Sequence, residues 1–162
     1  MKLQDEFLQE LQRSLGKTNF KVVVVDGART LKCEVEQCDP LAVAFTQLTL
    51  ETAELASVDI AKLQSASQSL CQRVNYLLEP ISPIETDADG CVVQMRSSPP
   101  QKTDTGRNYY ELLLRRGGAV VLSRYEKQAG TTRKQVSAML THEVLGRLVE
   151  DFDATVEEVL AS

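Results

Sequence analysis

The sequence predicts one α+β domain over residues 1–162: a mostly antiparallel sheet of about six to seven strands, built from hairpins and packed with three helices. Three observations carry this expectation. Apolar residues recur at helical spacing at the start, in the middle and at the end of the chain. Between those stretches β-branched runs alternate with polar ones. Asp26-Gly27, Asp89-Gly90 and Gly117-Gly118 mark tight turns inside the strand-like regions.

At 162 residues the chain has the size at which one domain buries roughly 70% of its unfolded surface, so a core forms without disulfide or metal staples. Its 43% hydrophobic and 25% charged content belongs to a folded chain rather than a disordered one. The opening Met1-Lys2-Leu3-Gln4-Asp5-Glu6 places acids where a signal peptide carries a basic lead. No segment approaches the ~18 apolar residues of a membrane span. These features predict a cytoplasmic protein. Cys33, Cys38, Cys71 and Cys91 lack the paired spacings of zinc or redox motifs and are expected as reduced thiols.

Leu3, Phe7, Leu8, Leu11 and Leu15 share one helical face over residues 2–15, and Gly16 follows as a C-terminal cap. Phe20 to Val25 reads as a strand, Asp26-Gly27 as its turn, and Leu31, Cys33 and Val35 as the inward positions of a second strand. Asp39-Pro40 could open a helix over 41–51, but Val43, Phe45, Thr46 and Thr49 favour a strand there. Ile60, Leu63, Leu70, Val74 and Leu77 define a central helix from Ser57 to Leu78, ended by Pro80. A two-residue turn at Asp89-Gly90 pairs Thr86 with Val93 and Ile84 with Met95 on one face, leaving Glu85, Asp87, Gln94 and Arg96 on the other. Residues 97–108 carry no apolar side chain except two prolines and are expected to form a mobile loop. A turn at Gly117-Gly118 sets Glu111 opposite Arg124 and Tyr110 opposite Tyr125. The last helix presents Leu145, Leu148, Val149, Phe152, Val156, Val159 and Leu160 on one stripe. It starts at Thr141, or earlier at Thr132, with 133–140 unassigned.

No run of residues matches a catalytic, metal or nucleotide motif, and no residue pattern points to a cofactor. His142 is the only histidine, expected to face solvent in the first turn of the last helix, and Asp87-Ala88-Asp89-Gly90 lacks the closing glutamate of a calcium loop. Charge is uneven: residues 91–140 hold nine basic side chains against three acids, in a chain of net charge −5. One reading neutralises the acidic helices with basic strands. The other gathers Arg115, Arg116, Arg124, Lys102 and Arg107 into a site for nucleic acid or another anion, with Tyr109, Tyr110 and Tyr125 available for stacking.

The order helix, three strands, helix, strands, helix, together with small size and acidity, resembles the small acidic chaperones of type III secretion systems. About seven strands are expected here, where those proteins have fewer. The resemblance and the apolar stripes of the terminal helices imply a non-enzymatic protein-binding module, adaptor-like or chaperone-like and homodimeric. The alternative is the anion or nucleic-acid binder centred on the basic strands 91–134.

Overall fold

Alternating burial along paired strands builds one antiparallel sheet with helices on one face; the computed structural model describes residues 2–102 and 106–161. In chain order come α1 (Leu3–Arg13), β1 (Thr18–Asp26), β2 (Arg29–Cys38), β3 (Ala42–Thr52), a 3-10 turn (Ala53–Leu55), α2 (Ile60–Arg73), β4 (Ile81–Asp87) and β5 (Val92–Ser97). Then follow β6 (Gln101–Lys102), β7 (Arg107–Arg115), β8 (Ala119–Lys127), β9 (Lys134–Val136), β10 (Ala138–Thr141) and α3 (His142–Ala161). Seven strands form the main path β1-β2-β3-β8-β7-β5-β4, and the short β6, β9 and β10 attach to β7, β8 and β3. These three account for the excess over the expected number.

The registers Val22↔Cys33, Leu31↔Leu50, Leu48↔Leu122, Leu112↔Leu122 and Met95↔Leu112 run one buried apolar layer across the sheet. Phe7 of α1, Leu70 of α2 and Phe152 of α3 close over that layer in a single core. A Cβ on Gly146 would lie 3.0 Å from a Leu8 methyl, so α1 and α3 meet where α3 has no side chain. The other face carries the ion pairs Lys21–Glu34 at 3.3 Å and Lys32–Glu51 at 3.0 Å toward β1 and β2, beside the exposed Val23 and Val25.

The third hairpin differs from the expected register by one residue. Tyr110 lies opposite Arg124, Tyr109 opposite Tyr125 and Glu111 opposite Ser123, so the Glu111–Arg124 and Tyr110–Tyr125 pairs do not form. Arg115 pairs with Ala119, which makes the loop Arg116-Gly117-Gly118, with Gly118 at φ 104. A three-residue loop with a left-handed glycine shifts the pairing relative to a two-residue turn. The site also demands glycine sterically, because a Cβ there would sit 2.1 Å from the Thr52 carbonyl oxygen. One consequence is that Arg115 and Arg124 lie on opposite faces.

In the second hairpin Thr86↔Val93 and Glu85↔Gln94 are as expected, but a bulge at Ile84 sets Pro83 opposite Met95 and turns Ile84 outward. Proline cannot donate to the ladder, so the irregularity falls beside Pro83. Residues 41–51 are strand: the Asp39 carboxylate accepts from the Leu41 and Ala42 N–H groups at 2.9 and 2.8 Å, forming a turn rather than a helix cap. The central helix is shorter than its apolar pattern, starting after the Asp59 cap and ending at Arg73. Leu77 is nevertheless buried, in the connector that follows. The last helix starts at His142, where the Thr141 hydroxyl accepts from Val144 N–H at 3.2 Å. In the segment 97–108, Ser97 ends β5 and β6 pairs with the start of β7; residues 103–105 lie outside the described residues.

The sheet forks at its centre. β3 pairs with β8 over Gln47–Glu51, but its first half, Ala42–Phe45, pairs with β10, while the far end of β8, Arg124–Glu126, pairs with β9. Residues 134–141 thus fill the gap where β3 and β8 part. Gln135 Nε2 bridges the fork point, donating to Thr46 O at 2.8 Å and Ser123 Oγ at 3.4 Å.

Candidate functional site

The five basic residues singled out in the sequence do not converge. Lys102 and Arg107 are exposed at one end of β7, with Lys127 across from Arg107; Arg115 and Arg116 are exposed at the other. At ~3.3 Å per residue the two ends of β7 are roughly 25 Å apart. Arg124 is buried on the helix-covered face, 3.1 Å from Glu79 and with its guanidinium 4.4 Å from the Tyr110 ring centroid.

The tyrosines are also divided. Tyr109 and Tyr125 lie side by side on the open face, centroids 6.1 Å apart, and each is covered by an arginine: Arg96 at 4.4 Å from Tyr109, Arg133 at 3.9 Å from Tyr125. Beneath them the buried Glu111 carboxylate accepts from Gln94 Nε2 at 2.8 Å and is ion-paired with Arg133. Two guanidinium cations thus occupy ring faces that a base would stack on, one of them paired with a carboxylate. His142 is half-buried rather than solvent-facing, and its Nε2 donates to the Asp39 carbonyl at 2.7 Å, tying the start of α3 to the turn before β3. No group of three metal-ligating side chains is found among the described residues, and no helix is long and apolar enough to cross a membrane.

The fork itself opens a groove of about 730 Å³ on the helix-covered side. One wall is the connector between α2 and β4, carrying Tyr76 and Leu78; the other is β10 with Ala138, Met139 and Leu140. Pro99 and Pro100 lie at its border, and Tyr110 and Arg124 contribute to its lining from the sheet. Leu78 is 97% exposed and held at φ 66, a conformation costly for a leucine, while Met139 is 66% exposed. β10 uses one edge to pair with β3, and among the described residues no strand pairs with the other.

The polar side chains Tyr76, Glu79 and Arg124 along the groove are all paired. Glu79 accepts from Arg124 and, at 2.9 Å, from the Ser97 hydroxyl, which itself accepts from Tyr110 N–H at 2.8 Å. Burial raises the Tyr110 phenol above its ordinary range. The Tyr76 hydroxyl donates to Asp151 at 2.5 Å beneath the Arg147 guanidinium, and burial together with that bond pushes it far up. Neutral phenols and paired ions make a rigid lining for apolar contact.

Sequence reasoning missed this site. Leu78 directly follows Leu77 and so breaks the helical pattern, and Met139 lies in the unassigned 133–140; those two departures were the available signal. Comparison with known protein families, with curated proteins and with solved structures finds no match.

Proposed function

We propose that this protein is a protein-binding module that holds an extended, apolar segment of a partner protein in the groove at the sheet fork. The carrying observation is the coincidence of the exposed apolar Leu78 with the unpaired edge of β10, whose residues Ala138 to Thr141 line the same groove. A strand added to an edge gains main-chain hydrogen bonds, and adjacent apolar surface selects alternate side chains. Leu78 in a left-handed conformation favours the same reading, because strain retained at an exposed apolar residue is characteristic of a contact position. The likeness in element order to type III secretion chaperones is consistent with such a role. Four free cysteines, three of them buried, suit a reducing compartment such as the cytoplasm.

The test is selection of displayed random peptides on the full chain. Recovered sequences are expected to alternate apolar and polar residues and to lose binding to a Leu78→Asp, Met139→Asp double variant with unchanged circular dichroism. Addition of a recovered peptide is expected to slow amide exchange at residues 138–141. Peptides that bind the folded double variant equally well overturn the proposal.

A further inference from the structure

The two edges of the main sheet path are built differently. β4 carries Pro83, a bulge and the acids Glu85 and Asp87, all devices that discourage strand addition. β1, at the other edge, contains Val22, Val23, Val24 and Val25 and no proline. Asp26↔Arg29 closes a two-residue loop. The closing pair of such a hairpin exchanges both hydrogen bonds, so Phe20, Val22, Val24 and Asp26 turn their peptide groups to β2. Lys21, Val23 and Val25 consequently turn theirs to the free edge. The same three residues face away from the helices, Val23 51% and Val25 58% exposed.

We infer that β1 is the interface for a second copy of this chain, the two edges pairing antiparallel about a two-fold axis at Val23. An axis perpendicular to the sheet keeps both helix layers on one side and sets outward residues against outward residues. Centring on Lys21 would oppose two ammonium groups. Centring on Val22 would enlist Asn19, whose φ of 53 takes it out of strand geometry, and centring on Val24 or Val25 would run Lys21 or Val23 onto the Gly27-Ala28 turn. Val23 against Val23, with Val25 against Lys21 on both sides, uses every outward residue and forms about six main-chain hydrogen bonds. It covers the exposed valines with each other and with the lysine stems, and leaves both ammonium groups free to keep their Glu34 partners. This self-complementarity selects a second copy over a foreign strand. The inference is independent of the groove, which lies at the fork.

Sedimentation of the full chain at about 100 μM is expected to give twice the 18.0 kDa chain mass. Val23→Lys, which opposes two cations at the axis, is expected to halve that mass. Val23→Cys is expected to cross-link under mild oxidation and Val25→Cys, opposite Lys21, to cross-link at least tenfold more slowly; this comparison stands even if the lysine variant fails to fold. A wild type of single-chain mass, a dimer unchanged by Val23→Lys, or equal cross-linking of the two cysteine variants overturns the inference.

Discussion

Replacing Arg29 with methionine tests how the sheet is tied to the last helix. The Arg29 side chain is 11% exposed and reaches Glu54 at 2.8 Å, Asp153 at 2.6 Å and Glu157 at 2.8 Å, joining the start of β2 to the turn after β3 and to α3. Glu157 is well exposed, so its bond is worth little; the two less exposed partners contribute about 1 kcal/mol each. Removing the cation also leaves three carboxylates facing one another, adding about 1 kcal/mol of repulsion. The expected loss is therefore about 3 kcal/mol at neutral pH, or roughly 1.5 M in urea midpoint for a slope of about 2 kcal/mol/M. The pH dependence supplies the stronger check. The Arg29 guanidinium, with help from the Thr52 hydroxyl, holds the Glu54 carboxyl below its usual range. A depressed carboxyl stabilises the fold above its unfolded pKa of about 4.3, and that contribution is lost as pH falls through the lower folded value. The wild type should therefore lose stability between about pH 5 and pH 3, and Arg29→Met should lose less over the same interval. Urea titrations that give a cost below about 0.5 kcal/mol at neutral pH, or a cost that does not shrink in acid, would refute this account.

Other consequences are sharper in contrast than in isolation. Gly118→Ala should cost more than about 3 kcal/mol in chemical denaturation, because the new methyl meets the Thr52 carbonyl at positive φ, whereas Gly117→Ala, with open space around it, should cost under about 1 kcal/mol. Leu78→Gly should raise the thermal midpoint by relieving about 1 kcal/mol of left-handed strain, while weakening capture of groove-binding peptides. Burial pushes the Cys71 thiol up to about 11, so an aromatic disulfide reagent at pH 8 should modify it on the order of 10²-fold more slowly than a free thiol of pKa about 8.5. Raised thiols also predict declining stability as pH climbs above about 8.5, since the unfolded chain releases those protons first; a rising urea midpoint over that range would contradict it.

How much was legible depends on the range of the interactions. The stripes of α1 and α3 follow from period and the strand at Ala42–Thr52 from its β-branched and aromatic residues, signals that act within a few residues, whereas capping patterns at both Thr132 and Thr141 leave the start of α3 open between the two. The β7–β8 register was missed because one more loop residue, Arg116, inverts which residues face which side, and glycine pairs suit both loop lengths. That slip changed the predicted site more than any other error, since it sends Arg124 to Tyr110 and Glu79 rather than to the face of Arg115. β9 and β10, three and four residues long, are too short to show a period and take their hydrogen bonds from strands that precede them.

From its residues alone, then, this chain determined its class, its three helices, the hairpin order of its principal strands and most of its buried positions, because periodic burial of apolar side chains is a local property. Only the tertiary structure decided that β3 and β8 part around residues 134–141, that the basic side chains scatter to opposite ends and faces of the sheet, Arg96, Arg124 and Arg133 lying over tyrosine rings, and that Leu78 and Met139 border one groove. Those outcomes depend on contacts between segments far apart in sequence, where a single residue of register settles which side chains meet.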